Sequence, residues 1–234
     1  MPLRSCLRAR WGFAGWFAFA MLACVGAGCP VSAAADKPLL VITGASYAAH
    51  WKTPDLPGYT VVNKGRGGDE TKQVLARFHT DVLALKPAAV LIWGHINNYH
   101  RAPGGDLEAA KKGAWNDQLE MIRLARSQGV TVILATEVTL SEAIGFGNRL
   151  AAMIGSIRGK EGYSARINKP VRAVNAWLRD YAKKEGLRLL DVEQLFDDDD
   201  GFRKTEYTTD DGSHISPEGY AALTSYAQAI FAKG

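Results

Sequence analysis

Two short stretches at opposite ends of this 234-residue chain carry the residue types of acyl transfer: Gly44-Ala45-Ser46 and Asp211-Gly212-Ser213-His214. A serine hydroxyl is a weak nucleophile until a base takes its proton. Histidine is the side chain whose unperturbed titration lies nearest neutrality. A carboxylate three residues before that histidine can be turned onto Nδ1 by one short loop, which sets the tautomer and leaves Nε2 for the serine. Ser46, His214 and Asp211 are therefore candidate nucleophile, base and orienting acid. Each also has a structural alternative, Ser46 as a helix cap and His214 as a packed or capping group.

The two halves can meet only if the fold brings both chain ends to one edge of a sheet. Continuous apolar runs mark five strands, at 39–43, 59–63, 88–93, 130–136 and 187–192. Their lack of polar alternation suits strands covered on both faces, as in a parallel sheet. Helical patterns lie between them at about 69–85, 106–128 and 166–185, with a last one at 216–232. Asp69 and Ser216-Pro217 read as helix starts, and Gly129 and Gly186 as C-terminal caps. Alternation of this kind implies an α/β fold, a three-layer α/β/α sandwich around a five-stranded parallel sheet. Ligands of such sheets bind outside the carboxyl ends of the strands. The polar clusters expected there are Gly44 to Ser46, Gly65 to Asp69, Gly94 to Asn98, and Asp211-x-x-His214 before the last helix.

Other chemistries fit less well. Gly44 to Ala48 lacks the second glycine of a G-x-S-x-G elbow. The Gly65–Gly68 loop has no Gly-Lys-Ser/Thr ending and is not a phosphate loop. The five histidines, at 50, 79, 95, 100 and 214, show no tight metal-ligand spacing, so no metal and no cofactor is expected. The acids Asp197 to Asp200 are contiguous rather than alternating, which reads as a solvated turn rather than a calcium loop. Trp51, Trp93, Tyr99 and Phe146 could line a substrate groove, although aromatics more often pack in or beside a core. The glycine-rich segment 139–165 reads as an insertion near the site.

These blocks, in this order, resemble the SGNH hydrolases, or GDSL esterase/lipase family. Ser46 matches the family nucleophile in a Gly-Ala-Ser variant of Gly-Asp-Ser. Asn63-x-Gly-x-Gly-Gly68-Asp69 resembles the second block, Asn97 the third-block asparagine, and Asp211-Gly212-Ser213-His214 the last block. The resemblance spans 36–234 and implies a serine esterase working through an acyl-enzyme on a small-molecule or glycan ester. It also implies an oxyanion hole built from the N–H groups of Ser46 and Gly68 and the side-chain amide of Asn97. The chain departs from the family at Ala45, which stands for aspartate, and at Asn98, which does the same. His95-Ile96 replaces Gly-Gly, where two side chains would narrow the acyl site or reorient Asn97. Other readings are a carbohydrate O-deacetylase or acetyltransferase of envelope polysaccharide, a non-catalytic binding protein on the same fold, and a structural envelope protein held by its N-terminal segment.

Residues 1–35 read as a signal peptide: Arg4, Arg8 and Arg10, an apolar run from Trp11 to about Gly28, then Ala33-Ala34-Ala35. The protein is thus expected to be exported, periplasmic or secreted. Alternatives are anchoring through residues 11–28, or lipidation at Cys29 or Cys24. All three cysteines lie in this segment, so the remaining chain has no disulfide framework. Formal net charge is +4, and without the leader arginines 25 basic residues face 24 acidic ones. That balance leaves no nucleic-acid footprint, and membrane contact is expected only through the leader.

Overall fold

The computed structural model describes residues 36–142 and 162–233. Five parallel strands form one sheet in the order β2-β1-β3-β4-β5. They are β1 (Leu39–Gly44), β2 (Thr60–Asn63), β3 (Ala89–Trp93), β4 (Thr131–Ala135) and β5 (Arg188–Leu190). Each expected strand is present, within a residue or two of its expected ends. The four expected helices are α2 (Thr71–Asp81), α4 (Leu107–Ser127), α5 (Tyr163–Glu185) and α7 (Pro217–Phe231). Three short helices at strand ends were not expected: α1 (Ser46–His50), α3 (Asn97–His100) and α6 (Val192–Phe196).

The strands are largely apolar because successive side chains enter different cores. Leu40, Ile42, Leu91 and Ile133 face one side, packed with Tyr47 and Ala48 of α1, Trp51 just after it, and Leu223, Ala227 and Phe231 of α7. Val41, Val90, Ile92, Val132 and Leu134 face the other, against Val74 and Phe78 of α2, Met121 and Ile122 of α4, and Val174 and Leu178 of α5. Full burial of each such side chain contributes about 1.5–3 kcal/mol before the entropy of ordering it. Both layers of helix are thereby fixed to the sheet.

Helix termini follow local chemistry. Ser216 caps α7 by accepting the Gly219 N–H, and Pro217 occupies the first turn as expected. Gly186 caps α5 with φ of +64°, and Gly129 follows α4 with φ of +70°. The start of α2 differs from expectation. Glu70, not Asp69, is the cap, in a reciprocal capping box with Gln73. Asp69 is instead held by Arg77 Nε at 2.7 Å.

The sheet order has a direct consequence for the polar clusters. The chain leaves β1 toward β2 on one side and later builds β3, β4 and β5 on the other, so the carboxyl ends of β1 and β3 flank the topological switch point. Gly44 lies opposite Trp93 in the β1–β3 register. Ser46 and Asn97 thus follow neighbouring strand ends, and the Gly65–Asp69 loop follows β2 on the other side of β1.

Candidate active site

The peptide that delivers Ser46 is built on a close backbone approach. Gly44 has φ of +153°, and a Cβ there would lie 1.6 Å from the Trp93 carbonyl oxygen, so only glycine lets β1 run against β3 at this point. Ser46 is the first residue of α1; the cap is Ala45, and no side chain caps the helix. The hydroxyl is half-buried and has no hydrogen-bond partner among the described residues.

The other end of the chain is fastened to α1 by buried hydroxyls. The Tyr47 O–H donates to the Ser213 carbonyl at 2.6 Å, and the Tyr220 O–H of α7 donates to the Tyr47 carbonyl at 3.0 Å. Burial raises the Tyr47 phenol to about 12, so it stays a donor. Trp51 Nε1 adds a bond to Thr224 Oγ1 at 3.0 Å. Residues 46 and 214 each adjoin the Tyr47–Ser213 pair in sequence. The His214 ring lies 5.4 Å from that of His50, which shares a helix face with Ser46 one turn away.

Asp211 and His214 form a tight unit. Nδ1 of His214 meets Asp211 Oδ2 at 2.6 Å, while Asp211 Oδ1 accepts the N–H groups of Ser213 (2.7 Å) and His214 (2.9 Å). Thr209 Oγ1 donates to the same oxygen at 2.9 Å. Partial burial alone would raise this carboxyl, but the His214 ring, the two N–H groups and the Thr209 hydroxyl hold it well below the usual range. Nδ1 faces an ionised acceptor and therefore carries the proton. Nε2 is left as the acceptor and has no partner among the described residues. Beneath the turn, Arg203 (1% exposed) and Ser141 donate to the Gly212 carbonyl at 3.3 and 3.0 Å.

The loops after β2 and β3 are joined to each other and to β1. Asn97 Nδ2 donates to the Asp69 carbonyl at 2.9 Å, which occupies one of its two hydrogens. Gly68 has φ of +82°, and its carbonyl accepts from the Arg101 guanidinium. Asn63 Nδ2 donates to the Ala48 carbonyl of α1 at 2.7 Å, and its Oδ1 accepts from Gly65 N at 2.8 Å. Arg77 is the hub of this region. It reaches the carbonyls of Lys64 (2.6 Å) and Gly44 (2.9 Å) and the carboxylates of Asp69 and Asp81 (both 2.7 Å). Sequence reasoning missed Arg77, although a cation among Val74 and Phe78 on the buried face of a helix was the available signal.

A family model of GDSL-like lipases and acylhydrolases matches residues 27–222. The chain belongs to the GDSL-like lipase/acylhydrolase family. That places it among ester hydrolases. The Bacillus subtilis (strain 168) protein YqeF, named as an uncharacterized lipoprotein, is 25% identical over 182 residues, covering 72% of each chain. Two solved structures share the fold. A proposed acylhydrolase from Bacteroides fragilis NCTC 9343 has a TM-score of 0.63 at 23% identity, over 84% of this chain and 87% of its own. A GDSL-like lipase from Bacteroides thetaiotaomicron VPI-5482 has a TM-score of 0.62 at 21% identity, over 84% and 89%.

Within this GDSL-like chain the departures have structural reasons. His95 (1% exposed) and Ile96 (3%) are both buried side chains. The His95 ring sits between Asn175 Oδ1 (3.3 Å) and the Tyr99 hydroxyl (3.0 Å), and burial lowers its pKa to about 4. Asn98 replaces an acid where a donor is needed. Its Oδ1 accepts the Thr71 N–H at 3.0 Å and its Nδ2 donates to Thr71 Oγ1 at 2.8 Å. The Thr71 proton is already given to Asp117 Oδ2 at 2.5 Å, so a carboxylate at 98 would lose that second bond. Ala45 packs in the core against Gly94, where a Cβ at 94 would approach to 3.3 Å.

Trp51, Trp93 and Tyr99 are core residues, while Phe146 and most of the 139–165 segment lie outside the described residues. The acidic run 197–200 is more structured than a solvated turn. Asp197 is partly buried and accepts the Thr139 hydroxyl at 2.5 Å, and Asp198 Oδ1 accepts the N–H groups of Asp200 and Phe202. Among the described residues no cluster suits a metal ion, and no helix is long and apolar enough to cross a membrane.

Proposed function

We propose that this GDSL-like protein is an exported serine esterase using Ser46, His214 and Asp211. The observation that carries the reading is the 2.6 Å bond between the Tyr47 hydroxyl and the Ser213 carbonyl, which holds the residues flanking Ser46 and His214 together. Ser46 Oγ attacks the ester carbonyl while Nε2 of His214 takes its proton, and Asp211 keeps the imidazole in the required tautomer. The oxyanion is met by the N–H groups of Ser46 and Gly68 and by the second Nδ2 hydrogen of Asn97. Collapse expels the alcohol, which receives the proton from His214. Water then adds to the acyl-serine with His214 as base, releasing the acid and restoring the hydroxyl. No step requires a cofactor.

A Ser46→Ala protein assayed on short-chain p-nitrophenyl esters is expected to lose turnover by at least a thousandfold while unfolding at the same temperature. Turnover near the parent rate would remove Ser46 from the chemistry. The leader's composition, and the lipoprotein name of the Bacillus subtilis relative, support passage across a membrane. Intact mass of the exported product separates cleavage after Ala35 from acylation at Cys24 or Cys29.

A further inference from the structure

Just beyond the end of β4 lies a carboxylate with no access to solvent. Glu137 is 0% exposed, and its Oε2 accepts two consecutive backbone N–H groups, His95 at 2.6 Å and Ile96 at 2.9 Å. Its Oε1 accepts the Val138 N–H at 3.0 Å. All three neighbours donate, so the group is bonded as an ionised acceptor. Burial pushes its pKa up, while these N–H bonds and the charge of Arg203 oppose the rise.

The main chain of Glu137 is itself clamped. Its N–H donates to Asn175 Oδ1 of α5 at 2.7 Å, and its carbonyl accepts from Asn175 Nδ2 at 2.8 Å. That pair fixes which end of the Asn175 amide is oxygen. His95 Nε2 must then donate to it, and His95 Nδ1 must accept the Tyr99 hydroxyl. The network therefore has one self-consistent set of protons and runs from α5, through the segment after β4, to the loop after β3. Ile96 is the N-cap of α3, and Asn97 is the first residue of that helix.

We infer that Glu137 is a positioning residue for ester hydrolysis, acting by gripping the two amides before Asn97 and so aiming the free Nδ2 hydrogen of that residue. The inference rests on the proposed role of Asn97 in holding the oxyanion. Two N–H bonds to one buried carboxylate oxygen are charge-assisted and roughly twice as strong as neutral ones. They set where α3 begins, and a displacement of about 1 Å at a reacting position lowers rates by up to about a hundredfold. A Gln side chain has the right shape and can keep its oxygen on the His95 and Ile96 N–H groups, but it removes the charge that strengthens both bonds and turns a donor toward the Val138 N–H.

The test is a double-mutant cycle on ester turnover with Glu137→Gln and Asn97→Ala. Glu137→Gln alone is expected to lower kcat about 10- to 100-fold with KM within about twofold. In the Asn97→Ala background the same change should alter kcat by less than about twofold, since there is no amide left to aim. An equal loss in both backgrounds, or an unchanged kcat in folded Glu137→Gln protein, overturns the inference. Should the Gln variant not fold, Glu137→Asp keeps the charge and draws the oxygens back by one methylene, and the same cycle is read with it. If Ser46→Ala retains turnover, the reading of the whole site falls, and this inference with it. If Ser46→Ala is inactive while Glu137 and Asn97 act additively, this inference alone falls.

Discussion

Asn97→Ala separates the proposed catalytic use of one amide from its structural use. The Asn97 amide holds two loops together through its 2.9 Å bond to the Asp69 carbonyl, and its remaining hydrogen is the proposed oxyanion donor. Loss of the part-buried bond to Asp69 should cost about 0.5–1.5 kcal/mol of stability, the net worth of a typical hydrogen bond. Loss of an oxyanion donor costs about 2.7–4 kcal/mol in the transition state, or 10²–10³ in kcat. The two magnitudes differ enough to be told apart. Initial rates on p-nitrophenyl acetate, with urea denaturation of the same samples, should show a large fall in kcat, a small fall in midpoint and little change in KM. A kcat within threefold of the parent, with the expected stability loss, would leave Asn97 a structural tie and refute its catalytic role.

Asp211→Asn should invert the His214 tautomer without breaking the turn. The Asn Oδ1 can still accept the Ser213 and His214 N–H groups, whereas Nδ2 would donate to Nδ1 and force the proton onto Nε2. A fall in kcat of about four orders of magnitude is expected, with thermal unfolding shifted by only a few degrees. Asp197 has its pKa raised to about 6, chiefly by burial and secondarily, against the Thr139 bond, by the charge of Glu193. Its unfolded value is about 3.9, so between these values the folded state binds more protons, and this group's ionisation weakens the fold as pH rises through 6. Asp197→Asn keeps an acceptor for Thr139 and should stabilise at pH 7 by on the order of 1 kcal/mol after allowance for solvent screening. Below about pH 4 the difference should vanish, which paired denaturation curves at the two pH values would check.

Much of the candidate site was legible because its residues are local in sequence. Asp211 and His214 are three residues apart, and one turn suffices to join them. The Gly-Ala-Ser, Gly-rich and His-Ile-Asn-Asn stretches each follow an apolar run that can only be a covered strand. The partners that hold those stretches were not legible. Glu137 lies 42 residues from the amide it holds at His95, Asn175 lies 38 from Glu137, and Tyr47 lies 166 from Ser213. In sequence, His95-Ile96 looked like an intrusion on the acyl site. Folding buries both side chains, turns both N–H groups onto Glu137, and bonds the His95 ring to Asn175 and Tyr99.

Composition and spacing by themselves determined a parallel α/β sheet and the order in which the candidate nucleophile, acid and base occur along it. They did so because strand burial is written in continuous apolar runs, and a carboxylate–imidazole pair needs only a few residues. Tertiary structure alone decided that β1 sits between β2 and β3, so that three polar loops follow neighbouring strand ends. It also decided that a carboxylate after β4 and an arginine in α2 hold those loops. Such partnerships depend on which strand ends become neighbours, and that follows from the packing of two cores at once rather than from any single segment.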